Sequence, residues 1–510
     1  MPFRLPFLRC PLFVRVLTLW VLAGAGLPAC AQMPGRGAAL PPAVMEALNR
    51  AQVPASALSA LVVSVEPDAH ERLRHQAGVL ANPASVMKLV TSYAAIDLLG
   101  PDFTWSTRFY TDGTVDNGVL RGNLYVRGGG DPKLVLERVH EAYYALQSQG
   151  VQVILGDMVL DHSAFDLPYT DPGAFDGEAL RPYNASPDAL LVNFKSVILS
   201  FQPDPANGVA YVISEPPLAG LAIDATVPLS RTACGDWRTA VQARFDDPDS
   251  IRFEGRYPQK CGELKWPVAY QQPASYAARA LEGLWRAGGG VITGRVRSGL
   301  TPPDAVLLLD APSLPLSEIL VDVNQWSNNV MAQQVFLTLG QLAPPPLSTV
   351  TVVAPGSAAD RLVPARTARF ESSREVLQAW WARTFGPRVA APVIDNGSGL
   401  SRDERITPEA LASLLRHAAR HPQGAQFMQS LSVAGVNGTA ARLARGENSS
   451  ARGNAWIKTG SLRDVSGIAG YVNAANGARY VLVGFINHPN APAARPALDA
   501  LLEWTASLPD

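Results

Sequence analysis

From Ala84 to Leu99 the chain is apolar almost all the way round a helical wheel, and no other segment restricts the fold as much. A helix with one apolar stripe lies on a surface, whereas a helix apolar on every side must be enclosed. Pro83 precedes the run and Gly100-Pro101 stops it, so both ends are marked. Two polar residues interrupt the start of the pattern. Ser85 falls in the first turn, and Lys88, three residues on, lies on the same face. The helix N-terminus adds a partial positive charge near the serine oxygen.

Lysine is scarce in this chain, six residues against thirty-seven arginines. Arginine stays protonated and cannot serve as a base, whereas a buried lysine can be made neutral. Lys88 closes Ser85-Val86-Met87-Lys88, the only S-x-x-K in the chain, and Lys458 opens Lys458-Thr459-Gly460. Ser327-Asn328-Asn329 lies between them, giving the order S-x-x-K, S-x-N, K-T-G. Each motif alone is a weak signal. The three in that order, on a helix start, a helix and a strand, are a strong one, and the order is a signature of enzymes that acylate a serine.

The residue types suit that chemistry. A serine hydroxyl is a weak nucleophile and needs a base within hydrogen-bond reach. Free lysine has a pKa of roughly 10.4, so action near neutral pH requires a drop of about three units, on the order of 4 kcal/mol. Burial in the central helix and the cation of Lys458 both push Lys88 that way. Ser327 can pass a proton to a leaving nitrogen, and Asn329 can bond an amide of a peptide substrate. Lys458 and Thr459 offer a cation and a hydroxyl to a terminal carboxylate, while Gly460 leaves room for substrate along the strand. The backbone N–H groups of Ser85 and Ser461 are the natural oxyanion donors.

Composition is that of an ordinary globular protein, 47% hydrophobic and 17% charged. Arg4, Arg9 and Arg15 precede an apolar run from Val16 to Leu27, and Ala29-Cys30-Ala31 offers a small-x-small cleavage site. Residues 1–31 therefore read as an export signal, and the run from Val16 to Leu27 is too short to span a bilayer, which needs about 20 apolar residues. A lipoprotein signal, Leu27-Pro28-Ala29-Cys30 with Cys30 acylated, is the rival reading, so free and lipid-anchored forms both stay open. Without the leader the net charge is about −4, and no basic surplus points to nucleic acid. Export to an oxidising compartment makes Cys234 and Cys261 a disulfide candidate. A zinc site is the competing use, poorly supported without a nearby His-x-x-x-His.

Length predicts about two to four domains. Ala60–Glu66 reads as a buried strand. From about Thr104 short strands and turns take over, with candidates near 151–160, 190–202, 208–215 and 220–228. Gly128-Gly129-Gly130-Asp131-Pro132 lacks the G-K-[ST] ending of a phosphate loop, and Asp131-Pro132 reads as the cap and first position of a helix over 133–148. Residues 273–288 and 315–340 are helical patterns, the second carrying Ser327 and Asn329 near its middle. Pro344-Pro345-Pro346 and the residues to about 360 form a loop. Segments 455–459, 466–473 and 479–487 read as consecutive antiparallel strands, covered by a helix over 493–507. The expected division is 1–31 signal peptide, 32–103 and 269–510 the two parts of one domain, and 104–268 a β-rich insert.

The chain resembles the class C low-molecular-mass penicillin-binding proteins, the penicillin-binding protein 4 type of D-alanyl-D-alanine carboxypeptidase and endopeptidase. The resemblance rests on the three motifs together with PASVMKLVTSYAAIDLLGPDFTW, NGVLRGNLYVRGGGDP, DNGSGLSR (395–402) and VAGVNGT (433–439). The large insert between the first two motifs belongs to it as well. It implies a mixed α+β fold: a β-lactamase/transpeptidase-like domain, its five-stranded antiparallel sheet flanked by helices, with two β-rich inserted domains. It implies Ser85 as nucleophile, Lys88 as base, and Ser327, Asn329 and Lys458 as the rest of the proton network. Thr459, with Gly460 and Ser461, would hold the substrate carboxylate end. Arg402 matches a position that binds the free end of a diaminopimelate side chain. Arg463 stands where a glutamine would follow K-T-G-S-L, and Glu178 where an aspartate would, so preference for that side chain is left open.

The resulting expectation is an exported, periplasmic serine peptidase of peptidoglycan stem peptides, inhibited by β-lactams and without cofactor or metal. Peripheral membrane association and a homodimer are compatible with it. A non-catalytic penicillin-binding scaffold, or a β-lactamase or esterase of the same superfamily, is the alternative. No dedicated acid for a deacylation water is visible, which counts against a β-lactamase. The seven histidines show no metal spacing and read as surface or loop residues. G-x-S-x-G is absent. Trp380-Trp381, in a helical pattern, reads as packing rather than glycan binding.

Overall fold

The computed structural model describes residues 39–68, 70–342 and 366–509. The leader with Cys30, and the loop expected from Pro344 to about 360, lie outside the described residues.

A six-stranded sheet, antiparallel throughout, runs in the order Glu71–His75, Leu58–Ser64, Arg479–Asn487, Val465–Asn473, Ala455–Leu462, Ser432–Val433. It is the expected sheet with a two-residue strand, Ser432–Val433, added at the edge. Its central strands are buried on both faces. Side chains two apart share a face, and the packing follows that period. Leu61, Val63, Ala469, Tyr471, Val481 and Val483 pack with Val86, Leu89 and Tyr93. Ala60, Val62, Ile468, Val472 and Leu482 pack with Val44, Leu48, Leu498 and Leu501 on the other side. The helices Pro42–Arg50 and Arg495–Ala506 thus cover one face, the second of them as the sequence predicts.

On the opposite face lies the all-apolar segment, a 3₁₀ turn over Ala84–Met87 continued by an α-helix from Lys88 to Leu99. Its residues from Lys88 to Ile96 are buried without a break. Helices Leu316–Gln325, Asn329–Gly340, Phe370–Phe385 and Pro408–Arg420 complete its surroundings. Here the structure departs from expectation: the pattern over 315–340 is two helices, not one. The chain breaks at Ser327, whose φ of 61° is left-handed, and Asn328 then caps the second helix by accepting from the Met331 N–H at 3.1 Å. An Asn one residue past a non-glycine in the left-handed region is a helix start, not a helix interior.

The β-rich segment holds a five-stranded sheet in the order Val296–Ser298, Met158–Asp161, Leu124–Arg127, Ser106–Thr111, Val306–Pro312. A second runs Tyr257–Pro258, Thr226–Ser230, Val209–Glu215, Ser196–Asp204, Leu264–Ala269. One apolar core joins them, and Tyr276, Leu281 and Trp285 of the helix Pro273–Ala287 belong to it. The sequence boundary at 268 therefore falls inside this assembly, because strands as late as Pro312 pair with strands before 162. Non-local pairing of that kind leaves no local mark in the sequence. The helix expected over 133–148 begins at Leu136 instead, with Val135 at its N-cap. Asp131 is buried and accepts from the Lys133 N–H at 2.8 Å, closing a turn ahead of the helix. The Cys234 and Cys261 sulfurs are bonded, with Cα atoms 4.8 Å apart.

Trp380 and Trp381 are each 1% exposed, which places both in the core, and the Trp380 indole N–H donates to Asp97 Oδ2 at 2.6 Å. Not every histidine is at the surface: His417 packs edge-on against the buried Tyr93 ring at 5.8 Å. Trp380→Ala should cost about 3–5 kcal/mol in urea unfolding, whereas a surface glycan platform would lose under about 1 kcal/mol.

Candidate active site

Ser85, Ser327 and Lys458 arrive from a 3₁₀ turn, a helix break and a strand, and the three motifs meet. The Lys88 amine donates to Ser85 Oγ at 3.0 Å, to Asn329 Oδ1 at 2.7 Å and to the Ser398 carbonyl. Lys458 donates to Ser327 Oγ and to the Thr459 carbonyl, both at 2.9 Å. Both lysines are fully buried. Burial lowers the Lys88 pKa to about 7, against the opposing pull of Glu404. Lys458 is held well below its ordinary value by burial first, then by Lys88 and Arg442.

Two of the expectations change in this light. Lys458 is not a ready cation at the cleft wall; its buried ammonium is disfavoured, and in the free protein it is the partner of the Ser327 hydroxyl. Asn329 already has partners at both ends of its amide, accepting from Lys88 and donating from Nδ2 to the Tyr183 carbonyl at 3.1 Å. It ties the β-rich segment to the lysine rather than presenting an unengaged amide.

The backbone around Ser85 is held tightly. Ala84, just before it, has φ 48°, in the left-handed region that costs a non-glycine residue about 1–3 kcal/mol. Two glycines press on this turn from opposite sides. A Cβ on Gly460 would lie 2.5 Å from the Pro83 carbonyl and 3.1 Å from the Ser85 nitrogen, and one on Gly399 would lie 2.0 Å from the Ala84 carbonyl. Gly460 thus makes room for the serine turn itself, where the sequence suggested room for substrate. Thr459 is buried, with its hydroxyl donating to Thr439 Oγ1 at 2.8 Å.

Ser85, Ser327, Asn329 and Ser461 open onto a cleft of about 810 Å³. Arg402 lines it too, paired with Asp464 at 2.9 Å and stacked 4.7 Å over the Phe175 ring. Arg463 and Glu178, the two departures noted in the sequence, border the same cleft. The sequence reading missed three participants: Tyr183, Thr439 and Glu404. Tyr183 sits in a segment with no chemical signature of its own, and Thr439 ends VAGVNGT, a stretch to which the sequence reading gave no chemical role. Glu404 follows DNGSGLSR by two residues, and nothing local in the sequence marks it as an acid that will be buried.

Gly460→Ala should push the Ser85 turn off its strand and lower the reactivity of Ser85 toward a fluorescent penicillin by about a hundredfold, with the fold retained by circular dichroism. Reactivity near that of the parent would mean that the turn has room to spare.

The D-Ala-D-Ala carboxypeptidase 3 (S13) family description matches residues 43–354 and 361–508. The chain is 26% identical over 413 residues to the D-alanyl-D-alanine carboxypeptidase DacB of Haemophilus influenzae, covering 79% of this chain and 80% of that one. It is 28% identical over 442 residues to a D-alanyl-D-alanine carboxypeptidase of Actinomadura sp., covering 82% and 76%. The crystal structure of penicillin-binding protein 4 from Haemophilus influenzae superimposes with a TM-score of 0.70 at 22% identity, covering 91% of this chain and 99% of that one. On the family match, which spans most of its length, the chain belongs to the D-Ala-D-Ala carboxypeptidase 3 (S13) family of peptidases.

Proposed function

We propose that the protein is a serine-type D-alanyl-D-alanine carboxypeptidase and endopeptidase of peptidoglycan, working through an acyl-enzyme on Ser85. The observation that carries the reading is the 3.0 Å bond between Ser85 Oγ and a fully buried Lys88 whose pKa is lowered to about 7. A lysine so placed is neutral in a large fraction at neutral pH and can take the serine proton.

In this mechanism Ser85 Oγ attacks the carbonyl carbon of the penultimate D-Ala while its proton passes to the Lys88 amine. The developing oxyanion faces the backbone N–H groups of Ser85 and Ser461. As the C–N bond breaks, Ser327 hands a proton to the leaving nitrogen and is reprotonated from the lysine network. Water then attacks the ester carbonyl and gives a proton to Lys88, which passes it to Ser85 Oγ as the acyl C–O bond breaks. An arriving substrate carboxylate would favour the ammonium of Lys458, so binding itself would charge the proton donor behind Ser327. A terminal D-Ala and a cross-link differ only in what the leaving nitrogen carries.

Arg402, Arg463 and Glu178 are the groups we assign to the side chain of the third stem residue. Two cations and one anion suit a side chain ending in both an amine and a carboxylate. The leader over 1–31 supports an exported, periplasmic enzyme, released or acylated at Cys30. The Haemophilus penicillin-binding protein 4 fold has also been captured with a β-lactam, which supports β-lactams as inhibitors here.

Incubation with a fluorescent penicillin should give a stable adduct that maps to Ser85 by mass spectrometry and disappears in Ser85→Ala. An adduct elsewhere, or none on folded protein, removes the reading. The acylation rate should rise with pH through about 7, since the reactive form has Lys88 neutral and protons leave as pH rises. A rate flat across neutrality in stopped-flow measurements would assign the base to another group.

A further inference from the structure

Glu404 is a fully buried carboxylate that the mechanism above does not use. One oxygen, Oε1, accepts three consecutive backbone N–H groups: Asp395 at 3.2 Å, Asn396 at 3.1 Å and Gly397 at 2.8 Å. The other, Oε2, is buried with no hydrogen-bond partner. The next residue in that loop, Ser398, supplies the carbonyl that receives the Lys88 amine. Gly397 gives its own carbonyl to the Thr91 hydroxyl at 2.6 Å, one turn along the helix from Lys88. Burying a carboxylate costs free energy unless a charge or full hydrogen bonding offsets it, so its presence here calls for a reason beyond support.

Resting on the acyl-enzyme reading, we propose that Glu404 is a positioning residue for the reaction, holding the loop so that the Ser398 carbonyl meets Lys88 and supplying the counter-charge that Lys88 feels inside the core. The groups around it fit that role. The Lys88 amine reaches the carbonyl of the residue that follows its three backbone donors, and Asp395 lies on its own loop, with Arg374 of the neighbouring helix 3.7 Å from Asp395 Oδ1. Lys88 and Arg442 both disfavour the ammonium of Lys458. Burial raises the Glu404 pKa to about 7, and Asp395 adds to the rise. A negative Glu404 makes Lys88 hold its proton longer.

The test is the pH dependence of acylation by a fluorescent penicillin in the mature protein, Glu404→Gln and Asp395→Asn. Glu404→Gln keeps an oxygen for the loop and removes the charge. Lys88 then loses its proton sooner, and the midpoint of the rising limb moves down by about one pH unit. Asp395→Asn alters a half-exposed side chain and lets Glu404 ionise more readily, so its midpoint moves up. A merely structural Glu404 would lower rate or melting temperature at every pH and leave both midpoints in place, which overturns the proposal. If Glu404→Gln does not fold, Asp395→Asn decides alone: an upward midpoint supports the role and a parental one overturns it. Absence of any Ser85 adduct in the parent would instead overturn the acyl-enzyme reading and this inference with it.

Discussion

The desolvation of one amine organises this molecule. Lys88 would be protonated in water and has value as a base only when it is not, so the protein has to keep water from it while satisfying its hydrogens. It does so with a helix apolar on every side, a sheet beneath and helices around. Three acceptors meet the charged amine, Ser85 Oγ, Asn329 Oδ1 and the Ser398 carbonyl, each from a different segment; the neutral amine keeps two hydrogens and receives the Ser85 hydroxyl on its lone pair. The sheet, the helix break at Ser327 and the loop near 397 can be understood as the means of bringing those acceptors to one nitrogen.

That demand explains the local irregularities. Left-handed backbone at Ala84 and Ser327 is unfavourable for side chains with a Cβ, and in both places the surrounding packing holds it. Gly460 and Gly399 clamp the serine turn between a strand and a loop. Asn329 reaches through to the Tyr183 carbonyl, so the β-rich segment that borders the cleft is fastened to the lysine network as well. Whatever the insert contributes to selecting substrate is thereby coupled to the positioning of the base.

Much of the site was legible in the sequence because its chemistry needs particular residue types at fixed spacing. Ser85 and Lys88 are three apart on one helix face, and a chain with six lysines that places two in these motifs marks them clearly. The strands that follow Ala455 were legible for a related reason, being consecutive and apolar. Glu404 was not legible. An acid two residues after an arginine reads as surface, and its meaning comes from three backbone groups that fold over it. The boundary at 268 failed for the same cause, since Pro312 and Ser106 become neighbours only through pairing across some 200 residues. The continuous helix expected over 315–340 failed because side-chain periodicity says nothing of one left-handed residue.

Taken alone, the sequence singled out the candidate reactive groups and the helix that must be enclosed, because both follow from residue type and local spacing. Tertiary structure decided their electrical state and their partners. A lysine is a cation or a base according to how much water reaches it, and Lys88, Lys458 and Glu404 become what they are only once residues far apart in the chain shut that water out.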